Sequence, residues 1–285
     1  MCIRDDPIDD PGRRAFVAAS MAAAAIAGLA EAGTRAQGPS PAPPAPPPPT
    51  RVLDDPRAVH GPVTILHNGE ASIGGYLARP RAEGRYPAVI VIAGNRISEE
   101  YIPNTCAALA LGGFVGLAPD IFHILPETAR TLDEMRAAGA KHNDSDVLND
   151  LQAGIEHLRA LPFVREDGIA ALGFCYGGRM AMLLGARSRE VDAVVPFHPA
   201  PMKAQEVSRL RAPVQIHHGT ADRAVAAEET LKTEKVLKGQ GTPVEVYLYE
   251  GADHGFLAYT RPYYKPGAAR LAWGRVTAFL HKHLK

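Results

Sequence analysis

The chain has 285 residues, of which 46% are hydrophobic, and this is enough to bury the core of one large α/β domain. Lysine and arginine together number 31, as do aspartate and glutamate, so the formal net charge is zero. A neutral chain without a basic run beyond its N-terminus argues against a nucleic-acid partner. The glycines lack the spacing of a phosphate-binding loop, so no dinucleotide or other cofactor is predicted.

The N-terminal segment predicts an export signal. Arg13 and Arg14 precede an alanine-rich apolar stretch at residues 18–30, and small residues stand at the positions expected before a cleavage after Ala36. This pattern is typical of a twin-arginine signal peptide over residues 1–36, which the Tat export machinery would recognise. The expected location is the periplasm or the medium, with no stable membrane span after cleavage. Acidic residues before the arginines leave a cytoplasmic enzyme with an N-terminal tail as the alternative.

Residues 37–55 follow as a linker, whose proline-rich part predicts extended polyproline chain without packed structure. The remaining residues, 56–285, are predicted to form the single α/β domain. Removal of the signal would leave two cysteines, Cys106 and Cys175. Cys106 lies in an apolar segment at residues 104–111 that predicts a helix, so we expect a buried core thiol and no structural disulfide.

The segment around Cys175 predicts a nucleophile on a tight strand-to-helix turn. Residues 169–174 are continuously apolar, as in a strand buried on both faces, and residues 178–184 predict a helix. Glycines at both ends of residues 173–177, GFCYG, suit a turn that neighbouring chain approaches closely. The start of the helix would favour a thiolate at Cys175, and the N–H of Tyr176 would donate to an oxyanion. A buried, inert cysteine is the alternative.

Two later strands are predicted to deliver the partners of this nucleophile. The apolar segment at residues 214–218 leads to Asp222, and residues 244–249 lead to His254. Because carboxyl ends of parallel strands meet at one sheet edge, both side chains should lie near the elbow. The order nucleophile, acid, histidine is that of α/β-hydrolases. Taken singly, Asp222 can also be read as a turn or helix-capping residue, and His254 as a surface loop histidine. Asp253 is a rival for the acid, but as the immediate neighbour of His254 its side chain has difficulty reaching the imidazole.

From Pro62 to the C-terminus the chain resembles the dienelactone hydrolase (carboxymethylenebutenolidase) family of the α/β-hydrolase superfamily. The resemblance is carried by residues 117–120, 173–178, 218–222 and 254–256. It implies an α/β-hydrolase fold, with a mostly parallel central sheet and helices on both faces. It also implies hydrolysis of a small-molecule ester or lactone, with Cys175 as nucleophile, Asp222 as orienter and His254 as base.

Two positions depart from the family pattern. Asn95 follows the predicted strand at residues 88–92, where family members carry a glutamate that contacts the resting cysteine. Ala258 stands where the archetypes carry an arginine for the substrate carboxylate, and Arg261 is either a relocated clamp or a solvent-facing charge. Loss of a bidentate arginine predicts that neutral esters or lactones compete well with anionic dienelactone.

The remaining candidates are loop and strand-end residues. Asn95 and Arg96 lie in the loop expected to supply the second oxyanion donor. His198 follows an apolar strand and either lines the substrate pocket or has a hydrogen-bonded structural role. His217 and His218 are adjacent in a strand and should point to opposite faces, so they form no metal pair, and no metal site is predicted.

Two other function classes stand beside the hydrolase prediction. Asn95 and Ala258 are compatible with a non-catalytic ligand-binding module on the same fold. Thiol redox chemistry is the third class, but the chain lacks a C-x-x-C motif. Turnover of an activated ester separates the first two classes.

Overall fold

The computed structural model of the protein describes residues 50–67, 71–94, 99–124 and 143–284. The strands are β1 (Ala58–His67), β2 (Ala71–Pro80), β3 (Tyr86–Ile92), β4 (Val115–Pro119), β5 (Val164–Phe174), β6 (Ala193–Phe197), β7 (Val214–Gly219) and β8 (Val244–Tyr249). The helices are α1 (Tyr101–Leu111), α2 (Asp144–Ala160), α3 (Tyr176–Arg187), α4 (Ala204–Val207), α5 (Ala227–Gly239) and α6 (Pro266–His283). The predicted signal at residues 1–36, the linker up to residue 49, and both Asn95 and Arg96 lie outside the described residues.

The strands form one eight-stranded sheet in the order β1-β2-β4-β3-β5-β6-β7-β8. Strands β1, β2 and β4 pair antiparallel in that sequence, whereas β4, β3 and the strands through β8 are parallel. The chain passes from β3 to β4 on one side and then returns to β5 on the other. This reversal opens a crevice between the carboxyl ends of β3 and β5, where open α/β sheets hold their ligands.

Apolar cores lie on both faces of the sheet. Helices α1 and α6 cover one face, and α2 and α3 cover the other together with the apolar side of α5. Strands β3 and β5 are continuously apolar over residues 88–92 and 169–172, and these residues are fully buried, as expected for parallel strands between two helical layers. The predicted fold, a mostly parallel sheet with helices on both faces, is confirmed.

Helix α1 begins at Tyr101, three residues before the predicted start. Pro103 falls in its first turn, where the missing N–H has no intrahelical partner to lose. Its Asn104 side chain holds the end of the predicted linker: it accepts from Val52 N–H at 2.6 Å and donates to the Thr50 carbonyl at 2.9 Å. The backbone at Thr50 and Val52 is therefore held against the domain, and the Val52 side chain is buried. Within the described ranges, no helix has the length and apolarity needed to cross a bilayer.

Candidate active site

Cys175 occupies a strained turn between β5 and α3. Its backbone has φ 54° and ψ −115°, a left-handed conformation that is costly for a residue with a side chain. The Cys175 N–H donates to the Phe197 carbonyl at 3.0 Å. A Cβ on Gly173 would lie 2.1 Å from the Gly177 carbonyl oxygen, and one on Gly177 would lie 2.2 Å from that of Ile92. The predicted need for glycine at both positions is confirmed by these close approaches.

His254 and Asp222 meet at the same edge of the sheet. His254 Nδ1 lies 2.8 Å from Asp222 Oδ2, and the Asp222 side chain is fully buried. The other carboxylate oxygen accepts from the N–H groups of Ala224 and Val225, each at 2.8 Å. The two interpretations of Asp222 are therefore compatible, since the residue that caps its own loop also contacts the histidine.

Asp253 has other partners. Its carboxylate forms an ion pair with Arg223, whose Nε lies 2.9 Å from Oδ2. Oδ1 accepts from the backbone N–H of His254 at 2.7 Å. Asp253 thus orders the loop that carries the histidine, and the imidazole ring contacts Asp222 instead.

His218 is a contact of Asp222 that sequence reasoning missed. His218 Nε2 lies 3.3 Å from Asp222 Oδ2, and Nδ1 lies 2.7 Å from Thr230 Oγ1. The expected opposite orientation of His217 holds, because that ring contacts Tyr249 Oη at 2.7 Å. His218 precedes Asp222 by four positions across a strand end, and this spacing carries no recognisable signal.

The ionisable groups are tuned by one another. Burial lowers the pKa of His254, but hydrogen bonds with Asp222 and Cys175 outweigh it and raise that pKa to about 9. Burial opposes ionisation of Asp222, but hydrogen bonds from His218 and His254 hold its pKa well below the ordinary value. The arrangement therefore favours an imidazolium beside an aspartate carboxylate.

His198 lies directly against His254. The two ring centroids are 4.1 Å apart, and His198 is only 3% exposed. Neither of its ring nitrogens has a hydrogen-bond partner in the described part of the chain. Burial and the neighbouring His254 hold the pKa of His198 well below the ordinary value. The structure brings His198 to the site, and the described residues offer no hydrogen-bonded structural role for its ring.

Arg261 pairs with an acidic residue that sequence reasoning did not single out. Its Nη2 lies 2.5 Å from Glu99 Oε2, and both side chains are partly exposed. Ala258, at the position of the family arginine, is buried. The nearby Tyr101 packs edge-on against Phe174, with ring centroids 5.5 Å apart.

The backbone near Cys175 offers the start of an oxyanion site. Tyr176 is the first residue of α3, so its N–H lacks an acceptor within the helix. The chain leaving β3 runs over the elbow, because a Cβ on Gly94 would lie 3.2 Å from that of Cys175. Asn95 and Arg96 follow Gly94 but lie outside the described residues, so their predicted role stays a prediction.

Known proteins share this sequence pattern and this fold. The model of the dienelactone hydrolase family matches residues 73–284. A Bradyrhizobium protein named "Probable 2-oxo-3-(5-oxofuran-2-ylidene)propanoate lactonase" is 32% identical over 238 residues, which cover 78% of this chain and 94% of that protein. The solved structure of a candidate dienelactone hydrolase from Klebsiella pneumoniae aligns with a TM-score of 0.73 at 25% identity, covering 79% of this chain and 99% of that one.

A second solved structure is that of a dienelactone hydrolase-like promiscuous phosphotriesterase from metagenomic libraries. It aligns with a TM-score of 0.67 at 20% identity, and the alignment covers 80% of this chain and 100% of that one. That likeness shows the fold alone. The family match over most of the chain shows more, since it agrees with the residues that carried the resemblance. The chain belongs to the dienelactone hydrolase family of the α/β-hydrolase superfamily, and it is a hydrolase of carboxylic esters or lactones.

Proposed function

We propose that the protein cleaves its ester or lactone through a covalent thioester on Cys175, with His254 as the proton carrier and Asp222 as the residue that orients it. The observation that carries this proposal is the 2.8 Å contact between His254 Nδ1 and Asp222. It leaves the opposite ring nitrogen for the cysteine, whose hydrogen bond with His254 contributes to the raised pKa. A nucleophile, a base and an orienter in contact form the recurring arrangement of covalent hydrolysis.

In the acylation step the Cys175 thiolate attacks the carbonyl carbon and the carbonyl oxygen takes up the negative charge. The N–H of Tyr176 and one N–H from the loop after β3 stabilise this oxyanion. The C–O bond then breaks, and the leaving alkoxide takes the proton from His254 Nε2. In a lactone the alcohol stays attached to the acyl group, so ring opening gives a thioester that carries a free hydroxyl.

In the deacylation step His254, now neutral, removes a proton from water as the water attacks the thioester. The tetrahedral intermediate collapses, the acid leaves, and the sulfur departs as a thiolate beside the imidazolium. Proton transfer by a positioned side chain contributes on the order of 10²–10⁴-fold to such reactions. The carboxylate of Asp222 stabilises the imidazolium in both steps.

The experiment is detection of the thioester itself. Intact-mass spectrometry during turnover of an activated aryl ester should show one acyl group added to the protein, mapped to Cys175. Cys106→Ala is the matched control, since it removes the other described cysteine and should acylate normally. A ligand-binding module would bind the ester without product release, and acylation elsewhere would contradict the proposed nucleophile.

For the substrate, we propose a neutral ester or lactone in preference to an anionic one. Arg261 is engaged by Glu99, and the buried Ala258 offers no charge. The test compares kcat/KM for dienelactone with that for a matched neutral lactone. A preference for dienelactone of ~100-fold, about 2.7 kcal/mol in transition-state binding, would contradict it.

We also propose that residues 1–36 direct the enzyme to the periplasm or the medium through twin-arginine export. The support is the pair Arg13 and Arg14 before the apolar stretch. Replacing both by lysine keeps the charge but removes the guanidinium geometry, and should leave precursor in the cytoplasm. Normal secretion of that variant would contradict the proposal.

A further inference from the structure

We propose that Cys175, His198 and His254 together form a binding site for a thiophilic divalent cation such as Zn²⁺, which takes no part in the hydrolytic cycle. One sulfur and two ring nitrogens from these side chains all lie within 4.8 Å of one another. They come from the ends of β5 and β6 and from the loop after β8. The edge of the sheet therefore brings together three soft or borderline ligand atoms from residues that are far apart in the sequence.

The proposed hydrolytic mechanism assigns no role to His198. Its side chain is buried to 3% exposure, and neither ring nitrogen is hydrogen-bonded within the described residues. A buried polar group without a partner costs free energy, so such a histidine calls for a ligand. Because no hydrogen-bond donor among the described residues contacts the ring, a nitrogen lone pair of His198 is available to a metal.

His254 already has the environment of a metal-binding histidine. Metal-ligating histidines usually donate their second ring N–H to a carboxylate, which fixes the ring and raises its basicity. Asp222 accepts from His254 Nδ1 at 2.8 Å, which leaves Nε2 as the ligand atom. Cys175 adds a sulfur at the same place, and a sulfur with two imidazoles is a donor set that suits Zn²⁺.

The distances are compatible with a modest closure around a cation. Zn–S bonds of about 2.3 Å and Zn–N bonds of about 2.0 Å in a tetrahedral site imply ligand separations of roughly 3.3–3.6 Å. The side chain of His254 is 24% exposed, and that of Cys175 lies at a partly exposed elbow. The proposed site requires a small rotation of these two side chains toward the buried ring of His198.

Binding of the cation has a defined chemical balance. The metal binds the thiolate form of Cys175 and the neutral form of His254, so cation binding releases the proton that these side chains carry. The sulfur lone pair is then directed to the metal and cannot attack a carbonyl. Loss of hydrolysis on metal binding rests on the proposed function, whereas the binding itself does not.

The test uses untagged full-length protein, stripped of metal by a chelator and kept reduced with a phosphine. The background is Cys2→Ser with Cys106→Ala, so that Cys175 is the only thiol among the 3 cysteines of the chain. Titration with Co²⁺ should give a thiolate-to-cobalt absorption band with one cation bound per chain, and Zn²⁺ should abolish it. In His198→Phe, which keeps the ring shape without the nitrogens, the Co²⁺ dissociation constant should rise at least ~10-fold. The matched control is His157→Gln, since His157 lies in the last turn of α2 and is not one of the three clustered ligands; it should bind as the background does.

Three results would overturn the proposal: no thiolate band with Co²⁺, a band that persists in Cys175→Ser, or unchanged affinity in His198→Phe. Thermal unfolding of each variant checks its fold, and His198→Gln replaces His198→Phe if the latter fails to fold. Because binding is measured without substrate, and hydrolysis is measured on metal-free enzyme, failure of this site and failure of the proposed hydrolytic mechanism give different results.

Discussion

The two cysteines of the described chain occupy opposite environments. Cys106 lies in the middle of α1 with no exposed surface, and burial raises the pKa of its thiol far above the ordinary value. Cys175 lies at a left-handed turn, is partly exposed, and has His254 beside it. One residue type therefore packs in the core at one place and lies partly exposed beside a histidine at the other.

The difference comes from the backbone and the neighbours. Cys106 packs against β4 so closely that a Cβ on Gly116 would lie 2.9 Å from its Cα, and a small apolar side chain fits there. Cys175 is instead the residue before α3, where the helix N-terminus favours a thiolate. The reactivity of a thiol follows from its access to charge and solvent, and the following expectations test that contrast.

The largest expected effect is on turnover. Cys175→Ala should lower kcat for an activated ester by on the order of 10³-fold or more, because the proposed nucleophile is lost. Cys106→Ala should leave kcat nearly unchanged and lower the free energy of unfolding by about 1 kcal/mol through a small core cavity. His254→Ala should match Cys175→Ala, and the double variant should lose little further. Additive losses would argue against a shared mechanism.

Alkylation compares the two thiols directly. Iodoacetamide should label Cys175 at least ~100-fold faster than Cys106, since a thiolate reacts and a buried neutral thiol does not. Peptide mass spectrometry of the native protein over time gives both rates. Denaturant should bring the two rates together, which serves as the control. Earlier labelling of Cys106 would reverse the assignment.

The two candidate acids form a second matched pair. Asp222→Asn should lower kcat by about 10²-fold or more, because the amide no longer stabilises an imidazolium. Asp253→Asn should cost less than about 3-fold, because its carboxylate contacts Arg223 and a backbone N–H rather than the ring. Steady-state kinetics on both variants decide between them. A larger loss for Asp253→Asn would contradict the role of Asp222.

The environment of Cys175 should give a pH dependence of both kcat/KM and the free energy of unfolding. With the pKa of His254 at about 9, kcat/KM should fall above that pH as the proton for the leaving group is lost. Since the folded-state pKa lies above the unfolded value of 6.5, the protonated ring stabilises the fold fully below 6.5, and this contribution disappears as pH rises through about 9. In Asp222→Asn both transitions should move to lower pH. The pH dependence of urea unfolding measures the stability transition, and the pH profile of kcat/KM measures the kinetic one. A transition that does not move in Asp222→Asn would belong to a group other than His254.

The fold and the strand-to-helix turn at Cys175 were predictable because their signals are local. Buried strands read as apolar runs, and the glycines around Cys175 follow from close backbone contacts that any such turn creates. The side-chain contacts of Asp222 and His254 were harder to predict from the sequence. His218 reaches Asp222 through the turn after β7, whose geometry the sequence pattern does not reveal. His198 reaches His254 only through the order of β6, β7 and β8 in the sheet, which spacing along the chain does not encode. Glu99 meets Arg261 across 162 residues for the same reason.

The smallest expected effect is on substrate charge preference, and it concerns the ion pair at the N-terminal end of α1. Glu99 stands just before α1 and pairs with Arg261 at 2.5 Å, whereas Cys106 in the same helix is surrounded by apolar side chains. A partly exposed ion pair is worth up to about 1 kcal/mol, so Glu99→Gln should release Arg261 at a similar cost. We expect kcat/KM for anionic dienelactone to rise about 5-fold, with that for a neutral lactone nearly unchanged. The gain should vanish when Arg261→Ala is added, because the released cation is then missing. Equal changes for both substrates would show that the pair acts on the fold of the loop and has no part in choosing substrate charge.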